Sequence, residues 1–325
     1  MNDLATTPTP VPHRDRSGGL IAMGILLVLI GLACALLAGL MVVSMHIASR
    51  SPEMAQMTRG QMYAPVFIYL GLTTFFLWTG IGSMMARRWA RAVVLSTSIL
   101  WLAMGVLAMV MVAFVAPTGG RAWVEGMPAE ARAPLVIGLI VAGVFMFIIY
   151  VVVPLALTLF FRSPHVKATC ELRDPHPRWT DRCPMPVLLA VVGMAAGGLN
   201  MATSFGYQVM PMFGHYVTGL AAQAGLFASG ALCIVTAVLL YRLRSAGWWL
   251  MAAQVLLWGL SGIITFQLGD PAAMMDAMNM PREDEVGRSL WQHIWGQMGA
   301  WMAIWTGVGL AYLLYVRKYF RTGTP

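Results

Sequence analysis

The stretch GLIAMGILLVLIGLACALLAGLMVVSM, residues 19–45, decides the fold of this chain because it holds no Asp, Glu, Lys or Arg. At about 1.5 Å of rise per residue, a helix of this length exceeds the roughly 30 Å of hydrocarbon in a bilayer. In hydrocarbon the backbone polar groups need partners within their own segment, and a helix provides them. The run is too long for a secretory signal, whose apolar region has roughly 7–15 residues. We therefore expect an uncleaved first transmembrane helix.

The composition extends this expectation to the whole chain. Hydrophobic residues make up 59% of it and charged residues only 10%, whereas soluble domains carry about 25% charged residues. So little charge cannot cover a water-facing surface. The net charge of +8 does not indicate nucleic-acid binding, because the basic residues stand at the ends of apolar runs. The expected partners are the lipid bilayer and other membrane subunits, with no nucleic acid.

Seven further charge-free runs resemble the first. The eight runs cover residues 19–45, 65–86, 92–115, 134–161, 185–207, 217–241, 247–268 and 292–316. Each is long enough to cross a bilayer as a helix. The predicted fold class is all-α: a polytopic integral membrane bundle of about eight transmembrane helices.

The connecting segments alternate in charge, which predicts their sidedness. Fifteen of the 21 basic residues fall in one set of segments: Arg14, Arg16, Arg87, Arg88, Arg91, Arg162, Lys167, Arg173, Arg178, Arg182, Arg242, Arg244, Arg317, Lys318 and Arg321. The positive-inside rule places this set in the cytoplasm. With an even number of spans, both termini are then cytoplasmic.

The two halves of the chain resemble each other, which suggests a duplication. An offset of 157 maps Arg87 onto Arg244 and Gly105 onto Gly262. Two four-helix repeats would insert in the same orientation, as parallel-repeat transporters do; the alternative is that any two apolar segments look alike. The predicted organisation is a tail at 1–18, repeats at 19–162 and 185–321, a cytoplasmic linker at 163–184 and a tail at 322–325.

Chemistry-bearing residues are sparse. No Asp, Glu or Lys lies mid-span, although proton-coupled transporters usually place an ionisable residue there. No nucleophile elbow, phosphate loop, dinucleotide fingerprint or HExxH motif is present. The sequence therefore favours a non-enzymatic protein without excluding a membrane enzyme, and it identifies no cofactor.

Three amides within or beside the spans are candidates for a substrate path: Asn200, Gln254 and Gln297. Interhelical hydrogen bonding is the simpler role for each of them. Their use as a path for a neutral or weakly polar solute between the repeats is the alternative.

The linker holds His165, Cys170, His176 and Cys183. Two thiolates and two imidazoles suit tetrahedral zinc. Their spacing lacks the close Cys pair of a zinc finger, so a Pro-stiffened connector with Arg residues on lipid headgroups is the simpler interpretation.

The linker also carries a resemblance. Residues 163–187, SPHVKATCELRDPHPRWTDRCPMPV, resemble a signature of bacterial multispanning inner-membrane proteins of uncharacterised function, and residues 86–94, ARRWARAVV, are similar to a helix start common in small bacterial membrane proteins. The resemblance implies a bacterial plasma-membrane location. It brings no activity, substrate or catalytic residue with it.

Soft ligands gather at the predicted outer face. His46, Met210, Met212, His215 and His293 stand at the outer ends of spans or in outer loops. Thioethers and imidazoles suit Cu(I), so a copper site at the periplasmic face is one hypothesis. The alternative is that Met, of which the chain has 26, serves as flexible apolar filler.

Together these observations favour a structural or partner-binding component of a membrane assembly. Transport through the inter-repeat interface and periplasmic copper binding are the alternatives.

Overall fold

The structure is a computed structural model that describes residues 14–48, 59–115, 129–203, 209–277 and 285–320. Its helices are α1 Ser17–Ala48, α2 Arg59–Met84, α3 Arg88–Val115, α4 Ala129–Phe147, α5 Val153–Arg162, α6 Pro164–Arg173, α7 Met185–Ala202, α8 Gly219–Tyr241, α9 Ser245–Leu268, α10 Pro271–Ala277 and α11 Glu285–Val316. A π-helical segment, Ile148–Val152, joins α4 to α5, and short 3-10 helices cover Trp179–Arg182 and Arg317–Tyr319.

Eight of these helical stretches are long and apolar enough to cross a membrane, as the sequence predicted. Numbered in chain order as spans one to eight, they are Ser17–Ile47, Tyr63–Met84, Arg88–Phe114, Arg132–Arg162, Met185–Ala202, Gly219–Tyr241, Ser245–Leu268 and Ile294–Tyr319. They indicate a multi-pass membrane protein, and the all-α fold class is confirmed.

Glycines allow the first helix of each half to approach the second. A Cβ at Gly80 would lie 2.9 Å from the carbonyl oxygen of Gly24, so α1 and α2 meet backbone to backbone. A Cβ at Gly230 would lie 2.8 Å from the carbonyl oxygen of Gly198, so α7 and α8 meet in the same way. Lipid gives apolar helices no hydrophobic driving force for association. Membrane helices therefore rely on such close backbone packing.

Two sharp turns join the second span of each half to the third. Ala86 and Leu243 adopt left-handed backbone, with φ of 51° and 53°. In each turn the next N–H, at Arg87 or Arg244, donates to the carbonyl five positions earlier, over 2.9 and 3.0 Å. These are Schellman caps, which normally use Gly at the left-handed position.

Span four contains a π-helical segment just before Pro154. Proline has no N–H, so the carbonyl of Tyr150 lacks its helical donor, and the chain forms a π-turn in which the Val153 N–H donates to the Ile148 carbonyl. The Tyr150 carbonyl lies against Gly105 of α3, where a Cβ would come within 2.0 Å of the oxygen. The π segment and α5 pack on α3, whereas α4 has no comparable packing on α3.

The sequence did not predict a β-hairpin between spans five and six. Strands β1 Val209–Met212 and β2 His215–Thr218 pair antiparallel around Phe213 and Gly214, whose φ values of 49° and 86° match a type I′ turn. The Phe213 N–H donates to Ser261 Oγ over 3.1 Å, and the Gly214 N–H to Thr265 Oγ1 over 3.0 Å. Two hydroxyls of α9 thus accept hydrogen bonds from the backbone N–H groups of the hairpin turn.

The two halves meet along α3. Its N-terminal end packs on α7, and Ala92 joins a buried cluster with Val187, Trp248 and Val316. At the other end, Phe114 of α3 meets Trp301 of α11 edge to face, with centroids 6.2 Å apart.

Replacing Gly105 tests the contact between α3 and the Tyr150 carbonyl of span four. We expect Gly105→Val to lower the free energy of unfolding by about 1–3 kcal/mol, because its side chain would displace the Tyr150 carbonyl. The matched control is Gly71→Val on α2, where an added Cβ meets no heavy atom within 4 Å. Thermal unfolding in detergent measures both variants; equal melting temperatures for the two would contradict the account.

Candidate functional site

The linker is a folded element that packs against the ends of α1, α3 and α5. Pro164 opens α6 at a position where a missing N–H has no cost. Val166, Thr169 and Cys170 are buried under it. The Arg16 N–H donates to Thr169 Oγ1 over 3.2 Å, which ties the start of α1 to the linker.

Asp174, at the end of α6, is the centre of the linker's ion pairs. The residue is only 2% exposed. The Arg178 guanidinium donates hydrogen bonds to both oxygens of the Asp174 carboxylate, the shortest of them 2.7 Å long. Arg87 lies 3.8 Å away and the Arg88 N–H donates to it over 3.3 Å. The hydrogen bond from Arg178 is the main reason why the pKa of Asp174 lies below its usual value.

Arg88 adds a second bridge between α3 and the linker. Its guanidinium lies 3.4 Å from Glu171 and 3.4 Å from Asp181. The Arg178 N–H also donates to Asp181, over 2.7 Å. The turn between spans two and three is therefore fixed to the linker by carboxylates.

Two polar groups at this junction have no partner among the described residues. They are Nε of Arg91, on the first turn of α3, and the hydroxyl of Thr180, which is 3% exposed. The 3-10 helix that carries Thr180 packs on α3. Asp181, the next residue, is close enough to act electrostatically on Arg91.

The four proposed zinc ligands do not converge. Cys170 is buried with Leu20 and Phe161 in one apolar cluster, whereas Cys183 belongs to the cluster around Val187 and Trp248. His165 is half-buried and His176 is exposed. In the described part of the chain no three His, Cys, Asp or Glu side chains form a possible metal site. Burial raises the pKa of both thiols to about 11, so both are protonated at neutral pH.

Of the three candidate path amides, Gln254 is the best defined. Its Nε2 donates to Thr236 Oγ1 over 2.7 Å and to the Leu250 carbonyl over 3.2 Å, and its Oε1 accepts from the Cys233 thiol over 3.1 Å. Both amide hydrogens are used, and the bonds with Thr236 and Cys233 join α9 to α8, which is the interhelical role. Asn200 is exposed at the end of α7 and Gln297 is half-buried in α11.

The hairpin collects three of the five candidate copper ligands. Met210, Met212 and His215 share one of its faces, because Met212 pairs with His215 and Met210 lies two residues away. Met210 is buried against Gly225 of α8. His46 is exposed at the last turn of α1, and the side chain of His293 lies outside the described residues. The copper site stays a prediction.

Sequence reasoning examined the Cys and His residues of the linker and missed its carboxylates. The available signal was the i,i+4 pairing of Lys167 with Glu171 and of Asp174 with Arg178.

No protein-family model matches the chain, and comparison with curated proteins and with solved structures finds no match.

The burial of Cys170 and Cys183 predicts their reactivity. In membrane fragments open on both sides, we expect neither thiol to react with N-ethylmaleimide at pH 7.5, because both are buried and protonated. Both should react after denaturation in dodecyl sulfate. A His176→Cys substitution supplies an exposed control in the same linker. Full labelling of the native chain would contradict the seated linker.

Asp174→Asn should release the linker. Removing the charge leaves Arg178 and Arg87 without their carboxylate, at a cost of about 1–3 kcal/mol. We expect Cys170 to become reactive towards N-ethylmaleimide in this variant, and Arg178→Gln to have the same effect from the other partner. Protection that persists in both variants would show that the ion pairs do not hold the linker.

Proposed function

We propose that this protein is a non-catalytic, partner-binding component of a membrane assembly in a bacterial plasma membrane. In this proposal both termini and the linker face the cytoplasm. One observation carries the function: none of the residues in the most apolar window of span four is buried, whereas the other seven spans bury 17–33% of theirs. The helices in the described part of the chain leave that surface uncovered.

The exposed apolar side chains of α4 support a partner surface. Ile137, Ile140, Val141 and Phe145 of α4 are each more than 60% exposed, and Phe114 at the same end of α3 is 65% exposed. In the described part of the chain α4 has no comparable packing on α3, so the side chains of α4 form an exposed apolar surface. A transmembrane helix of a partner would cover such a surface.

Small residues favour a protein occupant. A Cβ added at Gly138 or Gly143 would meet nothing within 4 Å. Gly138 and Ala142 are four residues apart, the spacing that lets two membrane helices approach closely. Elsewhere in the described chain, Gly24, Gly80, Gly198 and Gly230 serve this purpose within the protein.

We also propose that the chain is a duplicated four-helix unit. The two Schellman turns lie 157 positions apart, the offset that relates Gly105 to Gly262. Gly105 contacts span four at Tyr150, and Gly262 contacts span eight at Met302. The first two spans of each half pack together, as do the last two.

Solute transport through the inter-repeat interface stays an alternative. Gln254 supports the binding role over transport, because its amide hydrogens are already bonded within the bundle.

Photo-crosslinking tests the partner surface. A benzoylphenylalanine at Ile140, whose side chain is 61% exposed, should give a discrete protein adduct in the native host membrane. The matched control is Leu36 on α1, which is 65% exposed and should give lipid adducts only. Gly138→Leu should abolish the adduct at residue 140 without changing the melting temperature of the purified chain. No protein adduct at 140, or the same adducts at 140 and 36, would refute the proposal.

A further inference from the structure

The charge cluster at the junction of α3 and the linker has fewer carboxylates than cations. Five cations meet three carboxylates there: Arg87, Arg88, Arg91, Lys167 and Arg178 face Glu171, Asp174 and Asp181, with the exposed Lys167 pairing only with Glu171. Arg87 and Arg178 share Asp174, and Arg88 bridges Glu171 and Asp181. Arg91 is the cation that remains, since its guanidinium makes no hydrogen bond or ion pair with any described residue.

Water cannot solvate the whole side chain of Arg91. Its Nε is buried and finds no acceptor in the described part of the chain, and a buried charged donor without a partner is costly. Thr180 is a second, independent sign, because its hydroxyl is buried and equally unpartnered. Arg91 stands on α3 and Thr180 on the 3-10 helix Trp179–Arg182, two elements that pack on each other.

We infer that this junction binds one phosphate-type anion, a phospholipid headgroup or free phosphate, through Arg91 and Thr180. A guanidinium fork matches the oxygens of a phosphate, and a hydroxyl donates to a third oxygen. The anion supplies the missing negative charge.

The position of the junction suits a headgroup. Trp89, two residues before Arg91, stacks on Trp78 with centroids 4.1 Å apart. Paired tryptophans are typical of the membrane–water interface, the level at which lipid phosphates lie. The cytoplasmic leaflet, where this end of α3 is proposed to lie, also carries the anionic lipids.

The test uses the full chain purified in a neutral detergent, with native mass spectrometry to count bound molecules. Phosphatidylglycerol, inorganic phosphate and diacylglycerol are added separately. We expect one tightly retained phosphatidylglycerol and none of the phosphate-free diacylglycerol. Retention of phosphatidylglycerol without binding of inorganic phosphate identifies a headgroup site; binding of inorganic phosphate identifies a site for free phosphate. If neither phosphate-bearing probe binds, the inference is wrong.

Variants assign the site to its residues. Arg91→Gln should weaken binding at least about tenfold, as loss of a charge-assisted hydrogen bond does, and Thr180→Val should weaken it less. Arg182→Gln, an exposed arginine in the same linker, is the control and should bind as the wild type does. If Arg91→Gln does not fold, Arg91→Lys keeps the charge and should retain weakened binding. Equal affinity in the Arg91 and Arg182 variants would overturn the assignment.

Discussion

The contact between the Tyr150 carbonyl and Gly105 sets the shape of the first half. An apolar helix must satisfy its own backbone, and Pro154 removes the one donor that would have served Tyr150. The chain answers with a π-turn and with a glycine on α3 that admits the freed oxygen. N-terminal to this point, α4 has no comparable packing on α3 among the described residues, and its apolar side chains are exposed. The proposed partner site is therefore a consequence of one missing N–H.

The second half handles irregular backbone differently. Its hairpin turns at Phe213 and Gly214, and the freed N–H groups bond to Ser261 and Thr265 of α9. At the offset of 157, the first half has Met104 and Ala108 at these positions, so it has no hydroxyls to hold such a hairpin. The two halves share turns and helix pairs but differ where polar groups are available.

The sequence predicted the eight apolar helices well, because charge-free runs of this length have few alternatives in structure. It could not predict the hairpin, since residues 209–218 lie between two spans without the Asn-Gly or Asp-Gly turn that marks most hairpins. Nor could it distinguish the arginines of the segment Arg87–Arg91. Three similar side chains close together in sequence differ only in which of them meets a linker carboxylate, and that depends on the tertiary fold.

The linker shows the same limit from the other side. Cys170 and Cys183 suggested metal chemistry by residue type alone, yet they lie in separate apolar clusters. The carboxylates, which drew no attention in the sequence, hold the linker to the turn at Arg87 and Arg88. In a chain with 10% charged residues, the few carboxylates outside the spans decide how the linker joins the ends of the helices.

We propose that the apolar helices cross the membrane. The linker and the hairpin, which lie at the two ends of α7, would then stand on opposite sides of it. Single cysteines at His176 and His215, both exposed positions, test it with a membrane-impermeant thiol reagent on intact spheroplasts. The account predicts that residue 215 is labelled at once and residue 176 only after permeabilisation. Labelling of both positions from the outside, or of 176 alone, would contradict it.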